Sequence, residues 1–188
     1  MRNIYLKSRK SQIWIETVIY TLIGLAIIGI LLSIIVPQLE KMKDNNIIKQ
    51  TIEALDILDS KISEIEQATG GIGKVNFKLA KGKILINGSG EYILYIMEDT
   101  KLEYSQVDKE IKYGNLNITT KKKGNRFNIY IKRDYSSRIN ISIGTSGGGD
   151  DSSAIKLLQP GSTPYNIYLE NKGQLNPDDK TKIVIRID

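Results

Sequence analysis

The side chain best placed to do chemistry is Glu16, the one charged residue in an apolar run over residues 13–36. A carboxylate at the centre of a bilayer costs on the order of 2.5–3.5 kcal/mol, and such groups usually have a partner. If the chain were cut between Ser11 and Gln12, the new α-amine of Gln12 would form an ion pair with this carboxylate. The alternative is that Glu16, one turn from the end of the run, reaches the membrane surface and needs no partner.

Three other groups of residues carry recognisable chemistry. Sequons for N-glycosylation occur at Asn87, Asn117 and Asn140, and they are usable if this part of the chain lies outside the cell. The basic run 121–123 is expected to be a hairpin tip in water, with an anionic-surface contact as the weaker alternative. The Gly-rich loop 146–152 contains carboxylates, but their spacing does not match a calcium loop. We therefore expect no metal site and no cofactor.

Composition argues against an enzyme. The chain of 188 residues has no Cys, which excludes disulfides, thiolate zinc sites and Cys nucleophiles. It has no His either, which removes the commonest general base and the commonest metal ligand. No nucleophile–base pair, phosphate loop or acid pair is recognisable in the sequence. We expect no catalytic residue and no enzymatic activity.

The basic character of the chain is concentrated at its N-terminus. The net charge is +6, and Arg2, Lys7, Arg9 and Lys10 contribute four positive charges, which leaves +2 for the rest. A nearly neutral remainder does not predict binding to nucleic acid. Basic residues before an apolar segment hold the N-terminus in the cytoplasm and place the following chain outside.

The apolar run 13–36 is long enough to cross a membrane. Its 24 residues would form a helix of roughly 36 Å, against a hydrocarbon core of about 30 Å. No Ala-x-Ala-like cleavage site follows the run, so the segment is expected to stay on the mature protein. Pro37 comes next, where a kink is possible without a break.

Two kinds of periodicity follow the apolar run. Residues 38–69 predict an amphipathic helix whose apolar stripe is formed by Ile48, Ile52, Leu55, Leu58, Ile62 and Ile65. Gly70 and Gly71 are expected to end this helix. Nine short runs rich in Ile, Tyr and Val then predict strands of an antiparallel sandwich or barrel. These runs are 75–79, 83–86, 91–96, 116–120, 126–132, 139–143, 154–158, 165–169 and 182–187.

The N-terminal third of the chain resembles archaeal type IV pilins. The residues that carry the resemblance are a basic leader ending in Lys10-Ser11, a Gln12-Ile-Trp-Ile-Glu16 start, an apolar helix and Pro37 at its far end. In that family Gly or Ala is usual where Ser11 stands. The resemblance implies that prepilin peptidase cuts between Ser11 and Gln12, and that Gln12 and Glu16 act in assembly with other pilin subunits.

The resemblance and the periodicity together predict an α+β fold. The expected parts are a leader (1–11), a transmembrane and filament-core helix (12–37), an amphipathic helix (38–69) and an extracellular antiparallel β-sandwich-like domain (70–188). The implied function is a structural subunit, major or minor, of a surface filament, held before assembly as a single-pass glycoprotein of the cell membrane. The alternative is a membrane-anchored extracellular β domain that acts in binding or adhesion without polymerising.

Overall fold

The computed structural model describes residues 6–145, 148–174 and 176–188, with side chains from residue 14 onward. One long helix, α1 (Leu6–Glu66), is followed by eleven short strands, which gives an α+β layout. The chain divides into two compact units, Met1–Met42 and Lys43–Asp188. The larger unit, called the β unit below, contains the second half of α1 and all of the strands.

Helix α1 continues past Pro37, which lies inside it. The predicted apolar stripe is confirmed, since Ile48, Ile52, Leu55, Leu58, Ile62 and Ile65 are all buried. Glu53 and Asp56, on the opposite side of the helix, are exposed. Each fully buried Leu or Ile contributes about 1.5–3 kcal/mol, so this stripe fixes the second half of α1 to the β unit.

All nine predicted strands are present, with small shifts at their ends. The strands are β1 (Ile72–Phe77), β2 (Lys83–Asn87), β3 (Tyr92–Thr100), β4 (Glu110–Tyr113), β5 (Leu116–Lys123), β6 (Arg126–Asp134), β7 (Ile139–Gly144), β8 (Asp150–Asp151), β9 (Ile155–Leu158), β10 (Tyr165–Asn171) and β11 (Thr181–Ile187). The sequence did not predict β4 or β8. All four residues of β4 are exposed, and β8 has only two residues, so neither has a buried face that hydrophobic alternation would mark.

The strands form two sheets. Sheet 1 has the order β1-β10-β11-β7-β8, and sheet 2 has the order β4-β5-β6-β3-β2-β9. All strand pairs are antiparallel except β7 with β11, which is parallel, so the predicted antiparallel pairing is confirmed apart from this one pair. Parallel strands need a crossover connection, and the chain between β7 and β11, which includes three other strands, provides it.

One hydrophobic core holds the β unit together. It combines the α1 stripe with the inward-facing residues of both sheets, among them Phe77, Tyr95, Ile131 and Leu169. Inward residues alternate with outward ones along β2, β3 and β10, as strand geometry requires. Hydrophobic burial therefore makes the end of α1 and the two sheets a single compact unit.

The C-terminal end of α1 is capped by Asn171, a buried residue at the end of β10. Its Nδ2 donates to the carbonyls of Ile65 at 2.8 Å, Glu66 at 3.1 Å and Ala68 at 3.1 Å. Its Oδ1 accepts from the backbone N–H of Gly173 at 2.7 Å. The last carbonyls of a helix lack the regular partner inside the helix, and this one side chain bonds three carbonyls at the end of α1 together with the buried N–H of Gly173.

We expect Asn171→Ala to lower the free energy of unfolding by about 2–4 kcal/mol, because it removes four hydrogen bonds and leaves the buried N–H of Gly173 without its acceptor. Urea unfolding of the full chain in detergent, followed by tyrosine near-ultraviolet circular dichroism, measures this loss. Asn166→Ala is the matched control on the same strand, since Asn166 is only half-buried. Its expected effect is under about 0.5 kcal/mol. Equal losses in the two variants would contradict a capping role.

Candidate assembly and modification sites

The first half of α1 presents a long, mainly apolar surface. From Trp14 to Val36 its large hydrophobic side chains are 47–76% exposed. This helix is long and apolar enough to cross a membrane. An exposed apolar surface of this length is expected to contact lipid or other apolar helices.

Two hydroxyl groups in this segment are bonded within the helix. Thr21 Oγ1 donates to the carbonyl of Thr17 at 2.8 Å, and Ser33 Oγ donates to the carbonyl of Ile30 at 2.7 Å. In a bilayer core there is no water to satisfy a polar group. Such back-bonding therefore suits these residues to an apolar environment.

Glu16 lies on the exposed surface of this segment, beside the exposed side chains of Ile15 and Ile19. The backbone of Ser11 and of Gln12 lies within α1, and their side chains fall outside the described part of the chain. Cleavage between them, and the ion pair that it would create with Glu16, remain predictions.

The sequon at Asn87 lies at the end of β2, in the turn that joins β2 to β3. Its Nδ2, the atom that would carry a glycan, donates to Tyr92 Oη at 3.1 Å, and its Oδ1 accepts from the N–H of Gly90 at 2.8 Å. The turn is packed rather than open, because a Cβ at Gly88 would lie 2.5 Å from the carbonyl oxygen of Ser152. Attachment at Asn87 therefore requires the turn to open or to be modified before it folds.

The other two sequons lie within strands. Asn117 is half-buried on β5, an interior strand of sheet 2. Asn140 is half-buried on β7 of sheet 1, and its Oδ1 is buried with no hydrogen-bond partner among the described residues. The structure thus brings Asn87 and Asn117 to one sheet and Asn140 to the other.

We expect at least one of Asn87, Asn117 and Asn140 to carry a glycan in the native host, because the positive-inside rule predicts an extracellular location for all three. Intact mass spectrometry of the native protein measures this directly. Replacing each Asn by Gln in turn then assigns the site, since only the modified position loses mass. A native mass equal to that of the unmodified polypeptide contradicts the prediction.

The remaining polar segments are used within the fold. The basic run 121–123 is exposed and forms the paired end of β5, next to the predicted hairpin turn at Gly124 and Asn125, where Gly124 has a φ of 61°. In the acidic loop, Asp150 forms an ion pair with Lys182. Asp151 Oδ1 accepts from both the N–H and the hydroxyl of Ser153 at 2.7 Å, which lowers the pKa of the Asp151 carboxyl. Ser146 and Gly147 of the same loop lie outside the described residues.

Two buried aspartates join α1 to opposite ends of sheet 2. The first is Asp44, whose Oδ1 accepts from Lys81 Nζ at 2.6 Å and whose Oδ2 accepts from Thr100 Oγ1 at 2.5 Å. Next to this pair, Tyr95 Oη donates to the carbonyl of Lys81 at 2.9 Å. Burial raises the pKa of Tyr95 well above its ordinary value, so its hydroxyl keeps the proton that it donates.

The second buried aspartate is Asp59, which accepts two hydrogen bonds from the guanidinium of Arg133. Arg133 Nε donates to Asp59 Oδ1 at 3.0 Å, and Nη2 donates to Oδ2 at 3.2 Å. Asn115 Nδ2 donates to Oδ2 at 3.1 Å. Arg138 Nη1 lies 3.8 Å from Asp59 Oδ1. The Nε of Arg138 forms a closer ion pair with Glu66 Oε2, at 2.9 Å. The side chains of Asp59 and Arg133 are only 10% and 14% exposed, so water screens their attraction weakly.

Tyr135 covers the Asp59 cluster. The guanidinium carbons of Arg133 and Arg138 lie 4.9 Å and 5.7 Å from the centre of its ring. Burial raises the pKa of the Tyr135 hydroxyl, and the negative charge of Asp59 raises it further. The cluster is therefore a buried network of charge pairs and cation–π contacts between the helix and the sheet.

Comparisons with known proteins were made at the level of families, single proteins and structures. No family model, curated protein or solved structure matches this chain.

The sequence analysis did not single out Asp44, Asp59 or Asn171. A signal for the two aspartates is nevertheless present, because Asp44 precedes the buried Ile48 by one helical turn and Asp59 follows the buried Leu55 by one turn. An acidic residue on an apolar stripe predicts a buried partner. No comparable signal marks Asn171, since its partners come from a distant part of the chain.

Proposed function

We propose that this chain is a structural, non-enzymatic subunit of an archaeal type IV pilus-like surface filament. The observation that carries the proposal is the exposed apolar surface from Trp14 to Val36, interrupted by the carboxylate of Glu16. Before assembly lipid covers this surface, and in a filament the same segments of neighbouring subunits cover it. The N-terminus is cytoplasmic and the β unit extracellular in this arrangement.

In this proposal, the charge of Glu16 aligns the apolar helices of neighbouring subunits with one another. A carboxylate among packed apolar helices is unfavourable unless a cation neutralises it. The α-amine of Gln12, produced by cleavage, is the cation that processing supplies, from the same or a neighbouring subunit. Processing by prepilin peptidase would thus couple leader removal to assembly.

The architecture of the β unit supports a structural role. The buried Asp44 and Asp59 networks and the Asn171 cap all join α1 to the strands. They fix the second half of the helix to the domain that it carries. A subunit built in this way holds its domain in one orientation relative to that part of the helix, which a regular filament requires.

Processing is the test of this proposal. We expect residues 1–11 to be removed in cells with an active prepilin peptidase, and N-terminal sequencing should then read Gln12 as the first residue. The Ser11→Gly variant is expected to be cut at least as fast. Finding Met1 on the mature membrane protein in such cells contradicts the filament proposal.

A membrane-anchored binding or adhesion module is the second candidate. The same exposed segment supports it, because lipid alone can cover a single apolar helix. This candidate needs no cleavage and no partner for Glu16, which would reach the membrane surface instead. An uncut chain that stays monomeric in the membrane would favour it.

A further inference from the structure

Three adjacent lysines, Lys121, Lys122 and Lys123, form the end of β5 next to the β5–β6 turn, and we call them the basic tip. All three are exposed, and none of them makes an ion pair with any residue that the structure describes. Lys121 Nζ lies 5.7 Å from the centre of the Tyr130 ring, a contact that leaves its charge in place. The basic tip is therefore a concentration of positive charge that the fold does not use.

The acidic residues near the basic tip do not neutralise it. Asp99 already forms an ion pair with Arg126, whose Nε lies 3.4 Å from its Oδ1. Glu98 is paired in the same way with Lys83 at 3.1 Å. The segment 101–112, which runs beside β5, contains three lysines and three acidic residues and is neutral overall. The three charges of the basic tip are therefore in excess at this corner of sheet 2.

The basic tip lies at the end of the β unit where α1 enters it. The β unit begins at Lys43, and the next residue, Asp44, accepts a hydrogen bond from Thr100 Oγ1 at 2.5 Å. Thr100 lies opposite Phe127 on β6, and Phe127 lies opposite Lys122 on β5. Because neighbouring strands are about 4.8 Å apart, the backbone of Lys122 lies about 10 Å from that of Thr100. The start of α1 in the β unit and the basic tip thus share one end of the unit.

The chain itself tethers this end of the β unit to the apolar run. The run ends at Val36, and residues 37–42 of α1 separate it from Lys43. At about 1.5 Å per residue, this part of the helix rises by about 10 Å. The polar headgroup layer of a bilayer is about 5–8 Å thick on each side of the hydrocarbon core. When the apolar run spans a membrane, Lys43 is therefore held at the surface of the headgroup layer.

We propose that the basic tip binds the phosphate groups of anionic lipids in the leaflet from which α1 emerges. This inference rests on the membrane-held state that both candidate functions share. Each lysine beside an anionic membrane surface favours contact by about fivefold, so three lysines favour it by about a hundredfold. So weak an interaction is sufficient here, because the tether keeps the tip at a high effective concentration near the lipid. The contact holds the β unit against the membrane surface before assembly.

Fluorescence quenching in vesicles tests this contact on the full chain, which has no Cys and so accepts one label at a chosen position. Asn125→Cys places the label in the exposed turn next to the basic tip. Ser137→Cys places it beyond the other end of β6, a strand about 26 Å long. The vesicles contain phosphatidylcholine, alone or with an equal amount of phosphatidylglycerol, and a lipid with a quencher on its headgroup. We expect strong quenching at Asn125→Cys only with phosphatidylglycerol, and little at Ser137→Cys in either vesicle.

Charge variants of the labelled Asn125→Cys chain identify the residues responsible. Replacing all three lysines of the basic tip with glutamine should lower the ratio of contacting to free tips by about a hundredfold, and Lys122→Gln alone by about fivefold. The control Lys74→Gln/Lys156→Gln/Lys172→Gln removes the same charge from exposed lysines outside the tip and should change the ratio by less than about twofold. Salt at about 1 M, which screens charges within about 3 Å, should abolish the quenching.

Four results overturn the proposal in distinguishable ways. Equal quenching in vesicles of phosphatidylcholine alone, or in the chain without the tip lysines, removes the role of charge. Release of the tip by inorganic phosphate, at an ionic strength where sodium chloride has no effect, would make the tip a site for free phosphate instead. A chain that resists alkaline extraction from the vesicles but shows no quenching at Asn125→Cys contradicts the contact and leaves both candidate functions standing. A chain that alkali extracts contradicts the membrane-held state, and with it both functions and the contact.

Discussion

Replacing Asp59 with alanine is expected to lower the free energy of unfolding of the β unit by about 3–5 kcal/mol, as removal of one member of a buried ion pair does. Asp59 accepts from Arg133 and Asn115 and also faces Arg138. Without it, the Arg133 guanidinium stays in a site that is only 14% exposed, with no nearby carboxylate to offset its charge. Arg138 is less affected, because it keeps its ion pair with Glu66.

Equilibrium unfolding in urea, measured on the full chain in detergent by tyrosine near-ultraviolet circular dichroism, gives this quantity. Tyr135 packs on both arginines, so its signal reports on the cluster itself. Asp56→Ala, one turn earlier on the exposed side of α1, is the matched control and should cost under about 0.5 kcal/mol. Removing both charges with Asp59→Leu/Arg133→Met should be less harmful than Asp59→Ala alone, because no unpaired charge remains. If the double variant loses more than the single one, the buried-charge explanation is wrong.

Glu16→Gln is expected to reduce filament assembly by about two to four orders of magnitude while leaving membrane insertion and the β unit intact. The estimate follows from the about 3–5 kcal/mol that loss of one partner of a buried ion pair costs, at about 1.4 kcal/mol for each factor of ten. The exposed side chains of Ile15 and Ile19 beside Glu16 would become apolar surroundings in a packed core, where the attraction to the Gln12 α-amine is strong. The substituted glutamine side chain keeps nearly the same shape as glutamate and lacks only the charge.

Surface filaments and membrane-held monomer are compared between the parent and the Glu16→Gln variant at equal expression. Glu103→Gln, an exposed position in the connection between β3 and β4, controls for the loss of one negative charge. Tyrosine circular dichroism confirms that the β unit is folded in all three. If the parent forms no filaments and the three monomer pools are equal, Glu16 reaches the membrane surface and the anchored-module function holds.

The sequence by itself determined the parts of this protein that depend on local periodicity. The apolar run, the buried stripe from Ile48 to Ile65 and nine strands follow from which residues recur at intervals of 3.6 or 2. The turns at residues 87–91 and 124–125 follow from their Gly and Asn residues. Ser11, Gln12 and Glu16 were also found from the sequence, and their roles stay predictions.

Only the tertiary structure decided which distant residues meet. Asp44 and Lys81, which bind each other, are 37 residues apart in the sequence, and Asp59 and Arg133 are 74 residues apart. Asn171 bonds the carbonyl of Ile65, which lies 106 residues earlier. The parallel β7–β11 pair depends in the same way on strand order. Periodicity shows that a side chain is buried or outward but not what it contacts, because its neighbours are set by how the strands pair across the whole chain.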